Sequence, residues 1–162
     1  MGRIGSILVA ALALAGPANA QDGRHAAAEL ERICRADAAQ MWGASLCGPL
    51  LLVDPATRAV WASEPDRAGL LTPAGTGWTG SLPQGVGIAN TSLDWAGVRW
   101  IMLQRPLPDD EVELGVLLAH EAWHRIQPDI GFPASEAANA HLATERGRVL
   151  IRLEMRALAT AL

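Results

Sequence analysis

The stretch LLAHEAWHRIQP, residues 117–128, places two histidines and a glutamate inside an otherwise apolar run. His120 and His124 are four residues apart, so on an α-helix both side chains lie on the same face. Two imidazoles arranged in this way can both reach one zinc ion at about 2.0–2.1 Å. Pro128 ends the run, because the residue before a proline disfavours helical geometry. The stretch therefore predicts a helix with a metal-binding face.

Glu121 is offset from His120 by about 100° around such a helix. It is therefore not an equal third ligand, but its carboxylate can reach a water at the metal. Zinc lowers the pKa of such a water, and a nearby carboxylate can take the proton. The pattern thus supplies two ligands and a general base from one helical turn. A metal-free helix with structural histidines is the alternative that the pattern leaves open.

The rest of the chain predicts an α+β fold in a single domain, residues 21–162. Apolar runs separated by turn residues predict an antiparallel sheet between an N-terminal helix and the motif helix. Asp109 suits the N-cap of the motif helix. The other predicted elements are a helix from Arg24 to Trp42, a hairpin that turns at Asp54-Pro55 and returns from Ala59 to Ala62, a strand from Val98 to Leu103, and a long helix from Ala137 to Leu162.

Residues 1–20 have the pattern of a secretory signal peptide. Arg3 precedes an apolar run from Ile4 to Ala15, and Ala18-Asn19-Ala20 offers a small-residue cleavage site. The apolar run is shorter than the ~20 residues that a spanning helix needs. We therefore expect a secreted or periplasmic protein with no integral membrane segment after removal of the signal. A buried N-terminal helix is the alternative.

Charge argues against a nucleic-acid partner. The net charge is −4, and it becomes −5 when Arg3, the one charged residue of the signal, is removed. No basic patch is therefore available to release counterions from phosphates.

Cys34 and Cys47 are the two cysteines of the chain. An even number of cysteines in an exported protein favours a disulfide, which would contribute about 3 kcal/mol for so short a loop. Two unpaired buried thiols are the alternative.

A catalytic zinc needs a third protein ligand, and the downstream candidates are His141, Glu145 and Glu154. On a helix, the neighbours of Glu154 one turn away are apolar, and a carboxylate there is costly unless it is paired or bound to a metal. These neighbours are Leu150, Ile151 and Leu158. Glu145 instead neighbours His141 and Arg148 on a polar face, so the pattern favours Glu154. A buried ion pair between Glu154 and Arg125 is the alternative.

HEAWH followed by a downstream helix with a glutamate resembles the zincin metallopeptidases, and among them the gluzincin type with two histidines and one glutamate. HEAWHRIQP and HLATERGRVLIRLEMRAL also resemble a family of uncharacterised exported bacterial proteins, from about Cys47 to the end of the chain. The resemblance implies that His120, His124 and Glu154 are zinc ligands and that Glu121 is the general base. It also implies a twisted sheet whose edge strand, GIANTS or VRWIML, binds a peptide by strand addition.

One departure from the resemblance concerns the oxyanion. The chain has no tyrosine, so the tyrosine that some zincins use there must be replaced by His141, Arg148 or Arg152. The expected function is an exported zinc-dependent hydrolase that acts on a peptide or protein substrate. The alternatives are a zinc-binding or interaction domain of zincin fold without turnover, and a metal-free structural domain.

Overall fold

The computed structural model describes residues 17–132 and 144–161. The chain divides into two compact units, Met1–Phe132 and Pro133–Leu162. The described elements of the first unit are α1 (Pro17–Asp37), β1 (Leu50–Val53), β2 (Ala59–Ala62), β3 (Thr72–Ala74), β4 (Gly77–Ser81), β5 (Thr91–Trp95), β6 (Val98–Gln104) and α2 (Glu111–Ile126). In the second unit the described element is α3 (Glu145–Ala161). Most of the expected signal peptide, and residues 137–143 of the expected last helix, lie outside the described residues.

The six strands form one mixed sheet in the order β3-β4-β2-β1-β6-β5. β1 and β2 form the expected hairpin, in which Leu52 pairs with Trp61. β1 and β6 are parallel, with Leu52 opposite Leu103. The α+β class is therefore confirmed, but the purely antiparallel sheet is wrong at this one pair. Four strands separate β1 from β6 in the chain, so no tight turn imposes the antiparallel direction there.

Both faces of the central strand β1 are buried. Leu50 and Leu52 point to the face that α1 and α2 cover, whereas Leu51 and Val53 point to the other. The helix-side core also contains Trp61, Ile101 and Leu103 of the sheet, Ala26, Leu30 and Cys34 of α1, and Leu114, Leu118, Ala122 and Ile126 of α2. Burial on both faces explains why β1 is a continuous run of apolar residues rather than an alternating one.

α1 ends earlier than the sequence predicts. Its last residue is Asp37 rather than Trp42, and it begins at Pro17 rather than Arg24. Ala38 and Ala39 take positive φ angles of 47° and 60°, which an α-helix cannot contain. No helix among the described residues is long and apolar enough to cross a membrane.

The edges of the sheet are β3 and β5. β6 contains VRWIML and is paired on both sides, so the expectation that this stretch forms a free edge is wrong. GIANTS overlaps the edge strand β5 only at Thr91 and Ser92. The helix α2 packs on β5, β6 and α1.

Candidate active site

The helix of the motif, α2, begins one residue later than predicted. Its N-cap is Asp110 rather than Asp109, because the Asp110 carboxylate accepts hydrogen bonds from the amides of Val112 and Glu113, each at 2.9 Å. The helix ends at Ile126, two residues before Pro128, as the proline predicts. These ends place the whole motif inside one regular helix.

His120 and His124 are brought together as their spacing predicts. Their Nε2 atoms are 3.1 Å apart, and their ring centroids are 4.7 Å apart. Two nitrogens bound to one tetrahedral zinc at the usual bond length lie about 3.3 Å apart. The His pair therefore fits two positions of such an ion with little movement. In the structure as it stands, the contact also has the length of a hydrogen bond between the rings.

Gln127 fixes the orientation of one of these rings. Its Oε1 atom lies 2.8 Å from Nδ1 of His124. An amide oxygen only accepts, so Nδ1 of His124 carries the proton and Nε2 presents its lone pair. A ligand histidine commonly has such an outer partner. The sequence reasoning missed Gln127, although its position three residues after His124 on the helix places it on the same side.

Glu121 is buried on the core-facing side of α2. Glu121 is only 4% exposed, and its Oε2 atom has no hydrogen-bond partner among the described residues. Burial raises the pKa of Glu121, whereas the nearby charges of His120 and His124 lower it. A buried carboxyl oxygen without a partner is costly. A catalytic role, or a bound water or ion, is a common explanation for such an atom.

The C-terminal turn of α2 is tied to the loop before β1. Arg125 donates from one terminal nitrogen to the backbone oxygens of Ser45 and Cys47. Gly48 makes this possible, since a Cβ atom there would lie 2.3 Å from Nε of Arg125. The predicted disulfide between Cys34 and Cys47 is present and closes the same loop onto α1. Arg125 therefore has a structural role in the first unit.

A row of rings continues from the His pair. The centroid of Trp123 is 5.3 Å from that of His124, and the centroid of Trp42 is 5.8 Å from that of Trp123, both in edge-on geometry. Trp42 and the neighbouring Met41 are 42% and 74% exposed. The sequence predicts a helix at these two residues and indicates no role for them in the site.

The third ligand is not located by the structure. Among the described residues, no group of three or more His, Cys, Asp or Glu side chains is placed to hold a metal ion. Glu145 and Glu154 both lie on α3 with exposed side chains, and His141 lies outside the described residues. Leu150 and Leu158 are 50% and 54% exposed on α3 of the second unit, and the burial of Glu154 against the motif helix stays a prediction.

Comparisons with known proteins found no matching family model, no matching curated protein and no matching solved structure.

Proposed function

We propose that this protein is a zinc-dependent hydrolase that cleaves peptide bonds. One observation carries the proposal: two imidazole nitrogens 3.1 Å apart lie on the same helix as a buried carboxylate whose Oε2 has no partner among the described residues. A structural helix has no need of either feature. Together they match a site that supplies two metal ligands and a base.

The residues of α2 and its C-cap have separate roles in this proposal. Nε2 of His120 and Nε2 of His124 would hold the ion, and Gln127 keeps the second of them in the tautomer that can bind. A bound zinc ion supplies a Lewis acid that polarises a carbonyl group and acidifies water. Glu121 would accept the proton of the attacking water and return it to the leaving amine. Its raised pKa suits the first transfer, because the carboxylate of a weaker acid accepts a proton more readily.

A peptide substrate is supported by the edge strand. Among the described strands β5 pairs only with β6, and α2 packs on both of these strands. A free edge offers backbone groups that an extended peptide can pair with. We infer that the substrate binds along β5. The stretch VRWIML does not offer such an edge, because it lies in β6, which is paired on both sides.

The third ligand belongs to the proposal as Glu154, with Glu145 and His141 as alternatives. Glu154 and Glu145 are nine residues apart, so they lie on nearly opposite sides of α3 and only one can face a given surface. Glu154→Ala should therefore lower zinc affinity strongly, whereas Glu145→Ala should leave it unchanged. The reverse result would assign Glu145. Loss of zinc only in His141→Ala would assign His141 and leave the oxyanion to Arg148 or Arg152.

Export also belongs to the proposal. The disulfide between Cys34 and Cys47 is compatible with an oxidising compartment. The intact mass of protein recovered from the periplasm or medium should correspond to a chain that begins at Gln21. A mass that includes residues 1–20 would contradict the expected signal peptide.

The test of the proposal joins metal content and turnover. We expect about one zinc per chain by elemental analysis, and its loss in the variant His120→Ala/His124→Ala. His25→Ala is the matched control, because His25 is an exposed histidine of the same unit, 3.0 Å from Glu111. Equal zinc in all three proteins would overturn the metal site.

The same protein should cleave a peptide library, and Glu121→Gln should keep the zinc but lose the cleavage, because an amide does not accept the proton. Zinc without cleavage by the wild type would favour a binding domain without turnover. The missing tyrosine is the observation that favours this second candidate. No zinc and no cleavage would leave a metal-free structural domain.

A further inference from the structure

An exposed apolar patch adjoins the candidate metal site. It consists of Met41 and Trp42, which lie between α1 and β1 and are 74% and 42% exposed. The ring of Trp42 lies edge-on to Trp123, and that ring lies edge-on to His124. Trp42 is thus two ring contacts from the His pair. An extended peptide covers this distance with about three residues at about 3.3 Å per residue.

The segment that carries the patch is held in place. The disulfide between Cys34 and Cys47 closes the loop that contains it. Within the loop, the amide of Met41 donates to the carboxylate of Asp37 at 3.3 Å, and the amide of Gly43 donates to the oxygen of Ala39 at 3.0 Å. Because these bonds fix the backbone of the segment, binding at the patch needs little further ordering of the backbone.

Below the patch lies a buried N–H group, that of Trp123. Nε1 of Trp123 is buried and has no acceptor among the described residues. Buried tryptophan N–H groups usually have one. No Asp, Glu, Lys or Arg side chain takes part in the described ring contacts, so the exposed surface that the patch offers is apolar and aromatic.

We propose that Trp42 and Trp123 form a specificity subsite that binds a large apolar or aromatic side chain of the peptide substrate, within about three residues of the scissile bond. The assignment of the occupant as a substrate side chain rests on the proposed function. Its chemistry follows from the patch, because an aromatic ring gains both buried area and edge-on contacts there. An acidic side chain would lose its hydration in the same place without gaining a counter-charge, because the charged group held against the patch, Asp37, is itself a carboxylate.

The test measures binding without turnover. The full chain carrying Glu121→Gln is titrated with fluorescently labelled, capped pentapeptides that differ only in the central residue, which is Phe, Leu, Ala or Asp. Fluorescence anisotropy gives the dissociation constants. We expect the Phe and Leu peptides to bind about tenfold more tightly than the Ala peptide, and the Asp peptide to bind more weakly still.

Variants locate the binding to the patch. Trp42→Ala should weaken the Phe peptide about tenfold, and Trp42→Phe should restore most of the affinity. Leu70→Ala is the matched control, since Leu70 is 54% exposed but precedes the opposite edge strand, β3. Thermal melting confirms that each variant is folded. If Trp42→Ala does not fold, Trp42→Leu takes its place, and it should weaken the Phe peptide more than the Leu peptide.

Equal affinity for the Phe and Asp peptides, or an affinity that Trp42→Ala and Trp42→Leu leave unchanged, would overturn the subsite. The result is separable from that for the proposed function. Peptides that bind with the expected preference but are never cleaved by the wild type would support the subsite and remove the hydrolase. Peptides that are cleaved without any preference would do the opposite.

Discussion

Glu121 is the residue at which stability and the proposed function are opposed. Its carboxylate is buried among the apolar residues that fix α2 to the sheet, and Oε2 has no partner among the described residues. Burying an unsatisfied polar group costs about 1–3 kcal/mol. Leu118 and Ala122, also on the buried face of the helix, show that an apolar residue would suit this position better. Glu121 therefore lowers the stability of the fold that the structure describes.

Glu121→Leu should stabilise the metal-free protein by about 1–3 kcal/mol, because it removes the unsatisfied carboxylate from the core. Urea unfolding in the presence of a chelator measures the effect. Glu113→Leu, at an exposed position of the same helix, is the control and should change the free energy of unfolding by less than about 0.5 kcal/mol. A Glu121→Leu protein that is less stable than wild type would mean that the carboxylate has a structural partner.

Gln127 should act on the metal through His124. Gln127→Leu removes the acceptor of the Nδ1 proton, so zinc affinity should fall about 10–100-fold. Gln127→Glu keeps an acceptor at the same place and should retain the affinity. Competition with a chromophoric chelator measures both variants. Equal affinity in the Leu and Glu variants would show that the hydrogen bond does not orient the ring.

Spacing alone predicted the shared face of His120 and His124, because the geometry of a helix fixes it. Spacing could not predict that the Glu121 carboxylate is buried, since burial depends on which side of α2 meets the sheet. The contact of Trp42 with Trp123 could not be predicted either. It depends on α1 ending at Asp37, after which Ala38 takes a positive φ angle that the residue type does not signal.

Among the helices and strands, those set by local chemistry were predicted best. The β1–β2 hairpin follows from the turn at Asp54, whose carboxylate accepts from the amides of Ala56 and Thr57 at 2.8 and 3.1 Å. The parallel pairing of β1 with β6 was missed, because it joins strands far apart in the chain and has no local signal. The same pairing buries β6 and moves the free edge to β5.

The start of α2 gives a prediction in which the two candidate caps are compared directly. Asp109 and Asp110 both satisfy the sequence rule for an N-cap, and only the structure separates them. Asp110→Ala should cost about 1 kcal/mol of stability, because two amide groups lose their acceptor. Asp109→Ala should cost much less. Thermal or urea unfolding of the two variants decides, and a larger loss for Asp109→Ala would return the cap to the residue that the sequence favoured.

In the first unit, the candidate site depends on how α1, the loop before β1 and α2 are joined. The disulfide fastens the loop before β1 to α1, and Arg125 fastens the same loop to the last turn of α2. That turn carries His124, and the loop carries Trp42. The disulfide and the Arg125 hydrogen bonds therefore hold the same loop, and the stability that each contributes should depend on the presence of the other.

The removal of the disulfide tests this coupling. Cys34→Ser/Cys47→Ser should lower the free energy of unfolding by about 3 kcal/mol, because the unfolded chain is no longer closed across a short loop. Arg125→Met should also destabilise the protein, but the combined variant should lose less than the sum of the two by about 0.5 kcal/mol or more. Arg58→Met is the control, since Arg58 likewise donates to backbone oxygens, those of Leu82 and Val86, in a different loop. Its effect should add to that of the disulfide within about 0.5 kcal/mol. If the loss of stability in Arg125→Met, like that in Arg58→Met, simply adds to the loss from removing the disulfide, the disulfide and Arg125 stabilise the molecule independently. The loop would then not couple α1 to the helix turn that carries His124.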